Sequence, residues 1–176
     1  MRSLNPILVD LSSLRKVLVI GSGAAAWLAH RQLPVPPLLT RVATPGHWVA
    51  HLNARQYLIS EDLDGAGSLE FANGDAAVTL IASDWVELAL LGPTTDDLLS
   101  ELCPTQLTQY DASAWIPTLL AEAEVAIYRG DGPHHYRVLC APAEGPYVFS
   151  TLATLTGEFG GMIIGFDEYR MRYVAA

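Results

Sequence analysis

Three prolines within four positions, in Leu33-Pro34-Val35-Pro36-Pro37, set the strongest local constraint on this chain of 176 residues. Proline fixes the backbone φ angle, has no N–H to donate, and disfavours helix at the residue that precedes it. The helix predicted over residues 24–32 must therefore end at this point. The chain continues in extended backbone, and a loop is predicted before the next strand.

A glycine-containing turn lies just before that helix. The apolar run Val17 to Ile20 leads into Gly21-Ser22-Gly23, as at the opening of a dinucleotide-binding fold, where backbone N–H groups approach a pyrophosphate. That fold also needs a strand ending in an acid about 20 residues further on. Residues 33–44 contain no Asp or Glu, and the first acid after the turn is Glu61. Two interpretations stay open: a small nucleotide-binding oxidoreductase, or glycines that merely turn a strand into a packed helix.

Strands and helices alternate irregularly along the rest of the chain. Alternation and β-branched or aromatic residues predict strands at residues 47–60 (a pair), 78–81, 86–91, 118–128, 136–140 and 162–174, and a hairpin around Asn73-Gly74. Helices are predicted from Thr94 or Thr95 to Leu102 and over residues 147–159. This order favours an α+β fold with a mixed or antiparallel sheet and packed helices. Residues 1–14 are interpreted as a tail and residues 15–176 as a single domain.

Composition and charge argue against several classes of partner. The formal net charge is −9, and the ten Lys and Arg residues form no basic stripe, so neither nucleic acid nor a membrane is expected as a partner. No signal peptide and no run of about 18 apolar residues is evident, which predicts a cytoplasmic protein. Cys103 and Cys140 lie outside any CxxC pattern, so we expect free, buried thiols.

Histidine pairs are the candidates for metal binding. His47 and His51 are four residues apart and could share a face, but no third ligand lies close in sequence. His134-His135 follow a Gly-Pro turn, and neighbouring side chains point apart on extended backbone. Both pairs are therefore interpreted as ordinary surface or edge residues, and no metal ligand is predicted.

Candidates for acid–base or nucleophilic catalysis are equally sparse. The stretch from Asp84 to Glu87 could supply a paired acid, although polar residues on an edge strand are commoner. Cys103 precedes Pro104 at a predicted helix end, which is typical of a buried cap, and no nucleophile elbow is present. We therefore assign no catalytic and no cofactor-binding residue in this chain.

Three short stretches resemble a known protein family. Leu88-Ala89-Leu90-Leu91-Gly92-Pro93, Asp97-Leu98-Leu99 and Leu102-Cys103-Pro104 resemble the strand, Gly-Pro, helix and Cys-Pro core of the gamma subunit of heterotetrameric sarcosine oxidase. The tryptophan-containing strands from Trp48 to Ser60 are similar to those that precede this core. The resemblance covers roughly residues 15–160. A proline-rich turn at residues 141–146 departs from the family pattern.

The resemblance implies a fold like the N-terminal part of the folate-binding aminomethyltransferases. It implies a noncatalytic structural subunit of a heterotetrameric, flavin-dependent complex that oxidises N-methyl amino acids, related to the small subunit of N-methylglutamate dehydrogenase. Flavin and folate are then expected in larger partner subunits and no cofactor in this chain. The alternatives are a free-standing folate or one-carbon-binding domain and the nucleotide-binding oxidoreductase. Aromatic residues such as Trp48, Trp85 and Trp115 are candidate subunit contacts if they are exposed, although the core is the commoner place for such residues.

Overall fold

The structure is a computed structural model that describes residues 5–63 and 76–174. Its chain divides into two compact units. Unit 1 contains Met1–Ser13 together with Trp85–Ala176, and unit 2 contains Leu14–Asp84. The assignment of residues 15–176 to a single domain stays a prediction.

Eleven strands and four α-helices are found in the described residues. In chain order they are β1 (Ile7–Asp10), β2 (Lys16–Ile20), α1 (Ala24–His30), β3 (Arg41–Thr44), β4 (His47–Asn53), β5 (Gln56–Glu61), β6 (Thr79–Ser83), β7 (Val86–Leu91), α2 (Thr95–Leu102), β8 (Ile116–Leu120), β9 (Ala123–Arg129), β10 (His135–Cys140), α3 (Gly145–Glu158), β11 (Met162–Ile164) and α4 (Phe166–Tyr169). A 3₁₀ turn (Leu107–Gln109) and a π-helical turn (Arg170–Val174) complete the set. This content confirms the α+β class.

Unit 2 is built on an antiparallel sheet in the order β3-β4-β5-β2-β6. Val17 on strand β2 lies opposite Ile59 of β5 and Ala82 of β6, so β2 is paired on both sides. The helix α1 supplies Trp27 and Leu28 to an apolar cluster with alternate residues of the sheet. Burial of this face holds the short helix, because seven residues are too few to be stable by propensity alone.

Unit 1 is built on a six-stranded sheet in the order β11-β1-β7-β10-β9-β8. The pair β1 and β11 is parallel, and the other assigned pairs are antiparallel. The helices α2 and α3 contribute Leu98, Leu99, Val148 and Leu152 to the main apolar cluster, which also contains residues from β7, β8, β9 and β10. The predicted sheet with packed helices is thus confirmed in both units.

The segment interpreted as a tail contains a strand of this sheet. In β1, Ile7, Leu8 and Val9 are buried and pair with β7 on one side and β11 on the other. Four residues are too short a run for periodicity to distinguish a strand from a loop. The strand forms because unit 1 provides two partners and an apolar environment for it.

Two predicted strands end earlier than expected. The strand expected over residues 118–128 is a hairpin of β8 and β9, since Ala121 and Glu122 both adopt positive φ, +47° and +71°. Such angles are typical of tight hairpin turns but are usually supplied by Gly or Asn. The strand expected over residues 162–174 stops at Ile164, and α4 and the π-helical turn follow Gly165. Strand β3 was not predicted, and the Asn73-Gly74 hairpin lies outside the described residues.

No helix within residues 5–63 and 76–174 is long and apolar enough to span a bilayer. The longest of them, α3, has 14 residues and buries one side against the unit 1 sheet. About 20 apolar residues would be needed to cross the hydrocarbon core.

Candidate functional site

The glycine turn in unit 2 is packed against backbone. Gly21 has φ +144°, and a Cβ atom placed on it would lie 2.0 Å from the carbonyl oxygen of Ala77. Its N–H donates to the carbonyl of Arg55 at 2.9 Å, and the N–H of Gly23 donates to the Ala77 carbonyl at 3.4 Å. The glycines are therefore required by a close approach of two chain segments.

This geometry contradicts the nucleotide-binding alternative. A dinucleotide site needs a parallel sheet, with the glycine turn open at the carboxyl end of a strand. Here β2 is antiparallel to both β5 and β6, and the Ala77 carbonyl faces the turn. The interpretation of Gly21-Ser22-Gly23 as a strand-to-helix turn is the one that the structure supports.

The paired histidines of β4 are part of local packing. The ring of His51 stacks on Tyr57 at a centroid distance of 4.1 Å, and its Nδ1 donates to the Pro36 carbonyl at 3.1 Å. His47 is partly buried at the start of the same strand. In the part of the chain that the structure describes, no three His, Cys, Asp or Glu residues are grouped as metal ligands.

A buried ionic cluster lies on the unit 1 sheet, and it is the most distinctive polar arrangement in the described residues. Glu87 on β7 is fully buried, and its Oε1 accepts hydrogen bonds from Tyr128 Oη and Arg137 Nη1, each at 2.9 Å. The three strands β7, β10 and β9 are neighbours, which brings these side chains together. The ionic pair between Glu87 and Arg137 is almost completely removed from solvent.

Two further polar side chains lie beside this cluster. Tyr169 of α4 is buried, and its hydroxyl is 3.3 Å from Nε2 of His135 at the start of β10. Burial raises the pKa of Tyr169, and the nearby positive charge of Arg137 opposes part of that rise. Together these side chains connect α4 to strand β10 of the sheet.

Asp96 forms a second, more exposed cluster in unit 1. Its carboxylate accepts a hydrogen bond from Tyr136 Oη at 2.5 Å and contacts the ring of His134. Burial and this carboxylate raise the pKa of Tyr136 to about 12, so its hydroxyl is neutral and donates. His134 turns outward with φ +55° while His135 is buried, so the two neighbours point apart as predicted.

Both cysteines are free and buried, as expected. Cys103 follows α2, and its Sγ is 3.6 Å from the hydroxyl of Thr118. Burial, with a smaller effect of Glu144, raises the pKa of the Cys140 thiol to about 11. A thiol with this pKa is protonated at neutral pH and is a poor nucleophile.

The sequence identified part of these arrangements. Glu87 was considered as one member of a paired acid on an edge strand, whereas it is a fully buried acid on a strand paired on both sides. Trp48 and Trp115 are buried rather than exposed, and Trp85 is partly buried. The partners of Glu87 could not be predicted, because they are 41 and 50 residues away in sequence.

The carboxylates of Glu87 and Asp96 are both engaged by neighbouring side chains of unit 1. The carboxylate of Glu87 is bound by a cation and a phenol, and that of Asp96 is engaged by Tyr136 and His134. A general base needs reach to a substrate proton as well as a suitable pKa. A fully buried carboxylate such as Glu87 offers no such reach in this structure. The expectation that this chain supplies no catalytic, cofactor-binding or metal-binding residue stays a prediction.

Known structures are similar to this chain, although no family model and no curated protein matches its sequence significantly. It is similar to a chain of the heterotetrameric sarcosine oxidase from Corynebacterium sp. U-96, solved with pyrrole 2-carboxylate. The identity is 21%, the match covers 88% of this chain and 85% of that chain, and the TM-score is 0.72.

A second similar structure is the glycine cleavage system aminomethyltransferase T from Bartonella henselae. The identity is 14% and the TM-score 0.67, with 92% of this chain and 47% of that chain covered. The chain therefore spans about half the length of that protein. At these identities the similarity establishes the architecture alone. The protein has the mixed α+β fold of aminomethyltransferase-like structures.

Proposed function

We propose that this protein is a noncatalytic structural subunit of a flavin-dependent complex that oxidises N-methyl amino acids, as sarcosine oxidase does. The observation that carries the proposal is the fold shared with one chain of a heterotetrameric sarcosine oxidase. That match covers similar shares of both chains, so the two are of similar length. Flavin and folate would be held by larger partner subunits, and the complex would be cytoplasmic.

The chemistry of the described side chains supports a structural role. The most buried carboxylate, Glu87, is in an ion pair, and the Cys140 thiol is protonated at neutral pH because burial raises its pKa to about 11. These groups stabilise strands β7, β9 and β10. A subunit of this kind would act by fixing the shape of a larger assembly, which needs a rigid fold rather than a reactive group.

A free-standing one-carbon-binding domain is the second candidate. It is favoured by the similarity to the aminomethyltransferase, which covers 92% of this chain. That similarity extends over less than half of the aminomethyltransferase, so any site built from its remaining residues would be missing here. We therefore rank this candidate below the subunit proposal.

The proposal is tested by isolating the protein from its native host through an affinity tag. We expect larger chains in fixed stoichiometry, a flavin absorption spectrum, and oxygen consumption with sarcosine. Glycine, which lacks the N-methyl group, is the control substrate, and an untagged strain is the control for nonspecific capture. A colourless monomer that is stable by itself would overturn the proposal.

The second candidate is tested on the purified chain alone. Titration with tetrahydrofolate, followed by isothermal calorimetry, would show stoichiometric binding if the domain works independently. We expect no saturable heat. Stoichiometric binding together with a monomeric state would replace the subunit proposal by the free-standing domain.

A further inference from the structure

Helix α1 ends at His30, and the proline-rich stretch that follows it is an exposed apolar segment, which we name the proline segment (residues 33–42). Four of its large apolar side chains are at least one third exposed: Val35 at 43%, Leu38 at 55%, Leu39 at 41% and Val42 at 37%. Single exposed apolar residues are normal on protein surfaces, but a contiguous group of them marks an interaction site. In the proline segment, the four exposed apolar side chains all lie within residues 35–42 of unit 2.

Hydrogen bonds to strand β4 hold the proline segment in one conformation. The N–H of Leu39 donates to the His51 carbonyl at 2.9 Å, and the N–H of His51 donates to the Thr40 carbonyl at 3.0 Å. The His51 ring also donates to the carbonyl of Pro36, which is buried, and stacks on Tyr57. A segment fixed in this way loses little conformational entropy when it binds.

Leu39 occupies an unusual backbone conformation. Its φ is +56°, a region in which glycine and asparagine are common and bulky residues are rare. Such local strain persists only where the surroundings enforce it. Here it keeps Leu38 and Leu39 exposed at the tip of a hydrogen-bonded turn, since the Thr40 hydroxyl also donates to the Pro37 carbonyl at 2.8 Å. Burial in a partner would give these leucines a favourable environment.

In sequence, the residues on either side of the proline segment are basic, whereas the whole chain is acidic. Residues 11–60 contain no Asp or Glu and five Lys or Arg residues, whereas the complete chain has a net charge of −9. Arg31 lies just before the segment, exposed and with its guanidinium 4.0 Å from the ring centroid of Trp27, and Arg41 lies within it. A docking face that fits this surface needs carboxylates around an apolar groove.

We propose that the proline segment is a docking surface for a larger protein chain that presents an apolar groove with an acidic rim. The inference rests on the proposed function, because the partner is then the adjoining subunit of the same complex. Leu38 and Leu39 would enter the groove, and the exposed Arg31 would face its Asp and Glu residues.

The first test is hydroxyl-radical footprinting of the tagged native complex against the same chain purified alone. We expect oxidation of Leu38 and Leu39 to fall at least about tenfold in the complex. Ile81 is the internal control, because it is 45% exposed on β6, at the opposite edge of the same sheet. Unchanged oxidation of the two leucines in an intact complex would overturn the inference, and so would their protection in a homodimer of the isolated chain.

Variants provide the second test, with binding measured against the partner chain identified in that complex. Leu38→Asp is expected to weaken association at least about tenfold, as for a central interface residue. Ile81→Asp, the matched control, should leave association unchanged. Arg31→Glu should slow association and reduce its salt dependence, because the charge on the rim of the interface is reversed. If Leu38→Asp and Ile81→Asp reduce the affinity for the partner chain equally, and neither changes the thermal midpoint, the inference is overturned.

The two proposals fail in different ways. A flavin-containing complex in which the proline segment is not protected leaves the proposed function standing and removes the docking surface. A colourless complex in which Leu38 and Leu39 are protected by an acidic partner keeps the docking surface and removes the oxidase proposal.

Discussion

Replacement of Gly21 by alanine tests whether the glycine turn is a packing device. The residue has φ +144°, where an alanine is strained by on the order of 1–3 kcal/mol. The new Cβ would also lie 2.0 Å from the Ala77 carbonyl oxygen, well inside any allowed contact. Relief of this clash requires the chain around Ala77 to move away. That movement breaks the hydrogen bond from Gly23 to Ala77, at a cost in stability of about 1 kcal/mol, and it loosens the packing of Val78 in the apolar cluster. We expect a total destabilisation of about 3–5 kcal/mol.

Two other glycines provide matched controls for this substitution. Gly132 has a similar φ of +134°, but a Cβ atom added to it would meet no heavy atom within 4 Å, so Gly132→Ala reports the backbone strain alone. Gly157 lies in helix α3, with nothing within 4 Å, so Gly157→Ala should stabilise by about 0.5–1 kcal/mol. The three variants separate strain, steric clash and helix propensity.

Urea unfolding followed by circular dichroism is the assay, with the midpoint and slope fitted for each variant. Gly21→Ala should lower the midpoint far more than Gly132→Ala. If the two variants lose the same free energy, the close approach to Ala77 does not constrain Gly21, and the packing argument against a nucleotide site fails.

Three further predictions concern unit 1. Glu87→Gln should lower the free energy of unfolding by about 3–5 kcal/mol, because it removes the charge of one partner in a buried ion pair with Arg137. A decrease of less than about 1 kcal/mol in urea unfolding would contradict this prediction. Tyr136 has a pKa raised from 10.0 to about 12 by burial and by Asp96, so the folded state binds more protons than the unfolded state between these values. The contribution of Tyr136 to stability is therefore complete below pH 10 and is lost as the pH rises to about 12. Tyr136→Phe should flatten the pH dependence of the unfolding midpoint between these two pH values. An unchanged pH dependence in the variant would refute this assignment of the pKa. Leu152→Ala should lower the free energy of unfolding by about 2–5 kcal/mol, because this side chain is fully buried in the main apolar cluster. A thermal midpoint equal to that of the native protein would argue against that packing.

Local sequence signals predicted the elements that local physics determines. The residues themselves predict the extended chain at the prolines after α1, the strand pair of β4 and β5, and the helix that ends before Pro104. The elements that were missed depend on partners. Strand β1 has four residues and forms between β7 and β11. The turn at Ala121 and Glu122 requires positive φ angles, which alanine and glutamate rarely adopt and which the sequence therefore does not predict.

Polar arrangements were less predictable than strands and helices. Glu87 appeared in the sequence as one acid near Trp85, and nothing close in the chain indicated its partners Tyr128 and Arg137. Such a cluster is set by the strand order of the sheet, which periodicity cannot give. His51 was considered as a metal ligand, whereas its ring supports the proline segment through Pro36 and Tyr57. Sequence spacing identified the residue but not its contacts.

The position of β1 has a consequence for how the chain folds during synthesis. Ile7 pairs with Leu91 and with Met162, so β1 is synthesised before both of its partner strands and must wait for them. At roughly 5–20 residues per second, the interval between Ile7 and Leu91 alone is roughly 4 to 17 s. Unit 2 is contiguous in sequence and can form within that delay, while an apolar strand remains unpaired.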